Sequence, residues 1–130
     1  MSPDTQKQVA TFNHPAEKGD MYGYAPAVKV GQNIYVSGQT ASNTSGDMAT
    51  QMQEAYRSIQ KALAQLGASM SDVVEETLYV TDMDAAAQCA ARVRSEVYEG
   101  RFQMASNLIG VQRLGHPDFV IEIKCTAQLT

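Results

Sequence analysis

The 130-residue sequence has no long apolar run, no basic stripe and very few residues of the kinds that hold metals or form disulfides. Its longest apolar stretches are only a few residues, which excludes a membrane-spanning helix and any membrane role that needs one. Met1 to Gln8 is polar and lacks the apolar stretch of a secretory signal, so the expected location is cytoplasmic. Lys and Arg total 10 against 14 Asp and Glu, a net charge of −4. The basic residues are scattered. Nucleic-acid affinity rests largely on neutralising phosphates, so no nucleic-acid partner is expected. There are two cysteines, Cys89 and Cys125, neither in a CxxC nor near a histidine. They read as small buried hydrophobes in a reducing compartment. His14 and His116 stand far apart, each beside a proline, which supports neither a zinc site nor a triad. No GxGxxG, P-loop or GxSxG occurs, so dinucleotide, nucleotide and α/β-hydrolase chemistry have no sequence support. No metal and no cofactor is expected.

What is present is an ordinary globular balance: 44% apolar and 18% charged residues. The length predicts one domain over 1–130, with 1–8 as a flexible arm. Val9 to Phe12 is a short edge-strand candidate. Tyr24 to Val30 and Ile34 to Ser37 form a hairpin about Gly31-Gln32-Asn33, where Gly and Asn tolerate positive φ. Residues 40–47, almost all turn formers, form an exposed loop. Residues 48–66 are the clearest helix. Met52, Ala55, Ile59, Ala62, Leu63 and Leu66 make one apolar stripe, with Gln51, Glu54, Arg57 and Lys61 on the outer face and Gly67 ending it. Val73 to Val80 alternates as a strand. Asp82 or Asp84 caps a second, alanine-rich helix reaching about Tyr98. Ser106 to Arg113 is a further strand, and 115–118 is a turn. Phe119 to Ala127 is the strongest strand, with Ile121, Ile123, Cys125 and Ala127 on one face.

This order predicts an α+β sandwich with two helices on one face of a mixed sheet of about six strands. The opposite face is expected to carry Val74, Leu78 or their alternates, Val111 or Leu108, and Val120. An apolar face of that size calls for cover, and a second copy of the chain is the expected one. Glu122 stands between two isoleucines in a strand that ought to be central. Two readings fit it: a rim carboxylate or partner of Lys124, or a carboxylate held in an intersubunit cleft, suited to moving protons.

Ile34-Tyr35-Val36-Ser37-Gly38-Gln39, Val80-Thr81-Asp82-Met83, Val111-Gln112-Arg113-Leu114 and Val120-Ile121-Glu122-Ile123 resemble, in order and spacing, the RidA family, also called YjgF or endoribonuclease L-PSP. The resemblance spans about residues 9–128. It implies a chorismate-mutase-like fold and a homotrimer whose sheets line a central barrel. It also implies three intersubunit clefts for a small-molecule ligand and, for catalytic members, hydrolysis of enamines and imines to keto acids and ammonia. Carried over singly, the catalytic positions fall on Glu122 and Tyr24, and the ligand-facing strand end on Ser37 and Gly38. The sequence departs from the pattern at the family's arginine, which lies in a Pro-Ala-Arg-Ser stretch. Here Met104-Ala105-Ser106-Asn107 puts Ser106 at that place, and Leu108 replaces the cysteine two residues on. Ser106, Asn107 and Leu108 are therefore the expected substrate-binding positions, with Lys124 or Arg101 as replacement cation. The arginine grips a substrate carboxylate through a planar fork, so classical 2-imino acid deamination is in doubt. The expected function is a RidA-like deaminase acting on another small imine, enamine or related metabolite. A non-catalytic metabolite-binding trimer is the alternative, and an endoribonuclease is the weakest reading.

Overall fold

The computed structural model describes residues 6–12 and 22–130. The chain runs β1 (Lys7–Val9), β2 (Ala27–Val30), β3 (Asn33–Gln39), α1 (Met48–Gln65), a 3-10 turn (Met70–Asp72), β4 (Val73–Val80), α2 (Met83–Val97), β5 (Ala105–Gly110) and β6 (Ile121–Gln128). The strands form one six-stranded sheet in the order β1-β2-β3-β6-β4-β5. All neighbours are antiparallel except β4 and β5, which are parallel and joined through α2. This is the expected α+β arrangement, with β6 central.

Each element ends where its residues dictate. Gly31 has φ +60, which makes the hairpin turn. Asp47 caps α1 by accepting from the Thr50 N–H at 2.9 Å, and Asp82 caps α2 through the Ala85 N–H at 3.0 Å. Gly67 and Gly100 take positive φ beyond the two helix ends. The core lies between the helices and one sheet face. Met52, Ile59 and Leu63 of α1 meet Ile34, Leu78, Ile121 and Ile123, all fully buried. Burying each such side chain contributes about 1.5–3 kcal/mol. Cys89 and Cys125 are both free and buried, and burial pushes the Cys125 thiol up to about 12.

Several expectations need correction. The edge strand is Lys7–Val9 rather than 9–12, so part of the expected 1–8 arm is in the sheet; residues 1–5 and His14 lie outside the described residues. β5 ends at Gly110, not Arg113. Gln51 is buried, not on the outer face of α1. Its amide donates to the carbonyls of Gly46 and Asp118, and its oxygen accepts from the Val120 N–H at 2.9 Å. It thereby ties the start of α1 to the entry of β6. The face opposite the helices differs from the expected one in the residues it carries. The pairing of β4 with β6 shifts between Val73 and Glu75, and this irregularity moves the β4 alternation by one residue. Leu78 therefore points to the helices, and Leu108 and Val120 are partly buried against the same core. The open face carries Val28, Tyr35, Thr77, Tyr79, Asn107, Ile109, Glu122 and Lys124 instead, as the registers of β2 with β3, β3 with β6 and β4 with β5 require.

Candidate active site

The site begins with an irregularity in β3. Val36 pairs with Cys125 and Gln39 with Ile123, so Ser37 and Gly38 together oppose Lys124. Such a bulge re-aims the chain locally. The Ser37 hydroxyl donates to the Ala25 carbonyl at 2.7 Å, and its N–H donates to Pro26 O at 2.9 Å. These bonds hold the segment that carries Tyr24 against β3. Gly38 has no side chain because the Glu122 carboxyl group lies over it: a Cβ there would overlap that carboxylate. Among the described residues Glu122 forms neither a side-chain hydrogen bond nor an ion pair, and the Lys124 pairing does not form. Arg94 and Glu76 make the ion pair found among them.

Gly38 also borders a cavity of about 490 Å³, which Tyr24 shares with Phe12, Tyr22, Lys61 and Phe119. The Tyr24 ring is 5.8 Å from Phe12 and 6.1 Å from Tyr22, centroid to centroid. It is half exposed, so its phenol is open to a ligand. Gly38 is thus common to two surroundings: the Glu122 carboxylate lies over it, and it borders the cavity that Tyr24 lines, while Ser37 next to it ties the Tyr24 segment to β3.

The β5 positions divide. Asn107 pairs with Thr77, and Thr77 with Lys124, which puts all three in one row on the open face beside the row of Glu122 and Tyr79. Ser106 pairs with Glu76 and points the opposite way, as does Leu108. Ser106 and Glu122 thus belong to opposite sheet faces and do not meet within one chain. Arg101 is exposed and lines a separate cavity of about 470 Å³ near the helix C-terminal ends. Among the described residues no group of His, Cys, Asp and Glu has metal-binding geometry.

Ser106 instead joins a cluster centred on the buried Glu76. The Glu76 Oε1 accepts from the Tyr56 hydroxyl at 2.7 Å and the Tyr98 hydroxyl at 2.6 Å. Its Oε2 accepts from Arg94 Nε at 3.0 Å and the Ser106 hydroxyl at 2.6 Å. Arg94 Nη2 donates to the same Ser106 oxygen at 3.0 Å. Burial, then the adjacent carboxylate, push both phenols well above their ordinary range. The sequence reading missed Glu76 and Arg94. A glutamate in the alternating set of Leu78 and Val80 was the available signal, because an acid in an apolar set needs buried partners.

The family signature described as Endoribonuclease L-PSP matches residues 16–129. A RutC family protein of Pyrococcus abyssi is 34% identical over 110 residues, 80% of this chain and 84% of that protein. The RutC family protein YjgH of Escherichia coli is 26% identical over 116 residues, covering 84% and 88%. A Mycobacterium tuberculosis structure described as a member of the YjgF/YER057c/UK114 family superposes with a TM-score of 0.84 at 28% identity. It covers 95% of this chain and 100% of that one. With its chorismate-mutase-like α+β fold, the chain belongs to the YjgF (RidA, endoribonuclease L-PSP) family.

Proposed function

We propose that the chain is a RidA-like deaminase, acting as a cytoplasmic homotrimer that binds a small imine, enamine or related metabolite between copies. The observation that carries this reading is the Glu122 carboxylate, unpaired among the described residues, laid over the side-chain-free Gly38, which borders the cavity lined by the half-exposed Tyr24. Glu122 takes a proton from water as the water adds to the C=N carbon. The phenol of Tyr24 orients the substrate or hands a proton to the departing nitrogen. Water supplies the oxygen of the carbonyl product, and the nitrogen leaves as ammonia. The reaction is redox-neutral.

A second copy is part of this reading. Glu122 and Gly38 lie on the open face, whereas Ser106 lies on the helix side of the sheet's β5 edge. A ligand touching both sets needs the β5 edge of one copy beside the Glu122 face of another. A chain of net charge −4 without a basic stripe is poorly suited to holding RNA, which weighs against the ribonuclease activity in the family's name.

Ammonia release from a panel of small imines tests the proposal. Wild-type protein should release ammonia from at least one, and Glu122→Gln should reduce that rate by about a hundredfold or more. Near wild-type activity in Glu122→Gln would make Glu122 structural. Ligand binding with no ammonia release from any imine would leave a metabolite-binding protein in place of an enzyme.

A further inference from the structure

We infer that Arg94, clamped by Glu76 and Ser106, is the residue that recognises a carboxylate on the ligand. This rests on the reading that the cleft reaches Ser106. A guanidinium has five N–H donors in a rigid fork. Arg94 uses Nε on Glu76 and one Nη2 proton on Ser106. Its side chain is 20% exposed, whereas that of Glu76 is fully enclosed. Among the described residues Nη1 makes no hydrogen bond, and no buried side-chain nitrogen or oxygen is left without a partner. Nη1 therefore reaches solvent, next to the remaining Nη2 proton. Those outward donors form the two-pronged edge that fits a planar carboxylate.

The rest of the cluster holds that edge still. The hydroxyls of Tyr56 and Tyr98 both donate to Glu76 Oε1, on the core side. They leave Oε2 to orient Arg94 and Ser106. Two other cations, Lys124 and Arg101, are worse placed. Lys124 is on the opposite sheet face from Ser106, and Arg101 is an exposed loop residue at another cavity. Because Arg94 and Glu76 neutralise each other, the grip depends on hydrogen-bond geometry more than on net charge. Arg94 thus supplies from α2 the guanidinium that Ser106 cannot.

The test compares pyruvate with its neutral isostere pyruvamide by calorimetry on the full chain. Wild-type protein should prefer pyruvate by roughly tenfold or more. Arg94→Gln should abolish that preference. Because this variant leaves the Glu76 carboxylate buried without its cation, the double variant Glu76→Gln, Arg94→Gln is measured alongside it and should also lack the preference. A wild-type protein that does not prefer pyruvate, or a preference surviving in either folded variant, overturns the assignment. Ammonia release is followed in the same samples. An Arg94-dependent preference without hydrolysis refutes the deaminase reading alone. Glu122-dependent hydrolysis with an Arg94-independent preference refutes only this one.

Discussion

Gly38 shows how much a single missing side chain decides. The Glu122 carboxylate occupies the space a Cβ would take. Glu122 is flexible at its far end, so Gly38→Ala should swing the carboxylate aside at little cost in stability. The expected outcome is at least a tenfold loss of imine hydrolysis with a change in melting temperature of only a few degrees, read by ammonia assay and calorimetry. Glu76 behaves in the opposite way, because its side chain is enclosed and every bond it accepts comes from a distant part of the chain. Arg94→Ala should destabilise the fold by about 3 kcal/mol, since it leaves a buried carboxylate without its cation. Urea unfolding measures this, and a loss below about 1 kcal/mol would show that water replaces Arg94 there. The tyrosines of this cluster also set a pH limit. The folded-state values of Tyr56, Tyr98 and Cys125 lie above their ordinary values of 10.0, 10.0 and 9.0. Their stabilisation is therefore complete below about pH 9 and is lost as pH rises, for Cys125 between 9.0 and about 12. Alkaline titration at 295 nm should show two of the six tyrosines ionising only with unfolding.

At the level of elements, α1 does more than cover the sheet. It projects Gln51 inward from its first turn, where the amide bridges the loop before the helix, the turn at Asp118 and the N–H of Val120. That bridge fixes where β6 begins, and so where Glu122 falls in the register. Gln51→Leu keeps the volume but abandons these backbone groups. It should cost about 2 kcal/mol and speed amide exchange at Val120, the exchange experiment being the more specific reading. The β3 bulge and the irregularity in β4 play a comparable part. The first sets two residues opposite Lys124, and the second turns Leu78 toward the helices. Between them they give the open face its mixture of polar, aromatic and aliphatic side chains.

For the whole molecule, the proposed assembly replaces the cover that the open face lacks in one chain. That face is a mixture of tyrosine, threonine, isoleucine and charged residues, closer to an interface with a wet rim than to a dry core. Light scattering at low micromolar concentration should give about 42 kDa, three times the chain mass of 14.1 kDa. A monodisperse species at the chain mass would remove both the trimer and the shared cleft.

The amino-acid sequence by itself determined the element order, the glycine stop of the first helix and the aspartate start of the second, the centrality of β6 and the family. These follow from local periodicity, from residues that tolerate particular backbone angles, and from ordered motifs such as Ile34 to Gln39. It also singled out Glu122, because a glutamate between isoleucines violates the pattern around it. Only the tertiary structure decided which face each β4 and β5 residue takes, since one irregularity reverses an alternation of period two. It alone joined Glu76, Arg94, Tyr56, Tyr98 and Ser106, which are spread over 51 positions of the chain. Their meeting depends on the register of β4 with β5 and on the packing of two helices over it. Those are long-range choices made by burial, and no local run of residues records them.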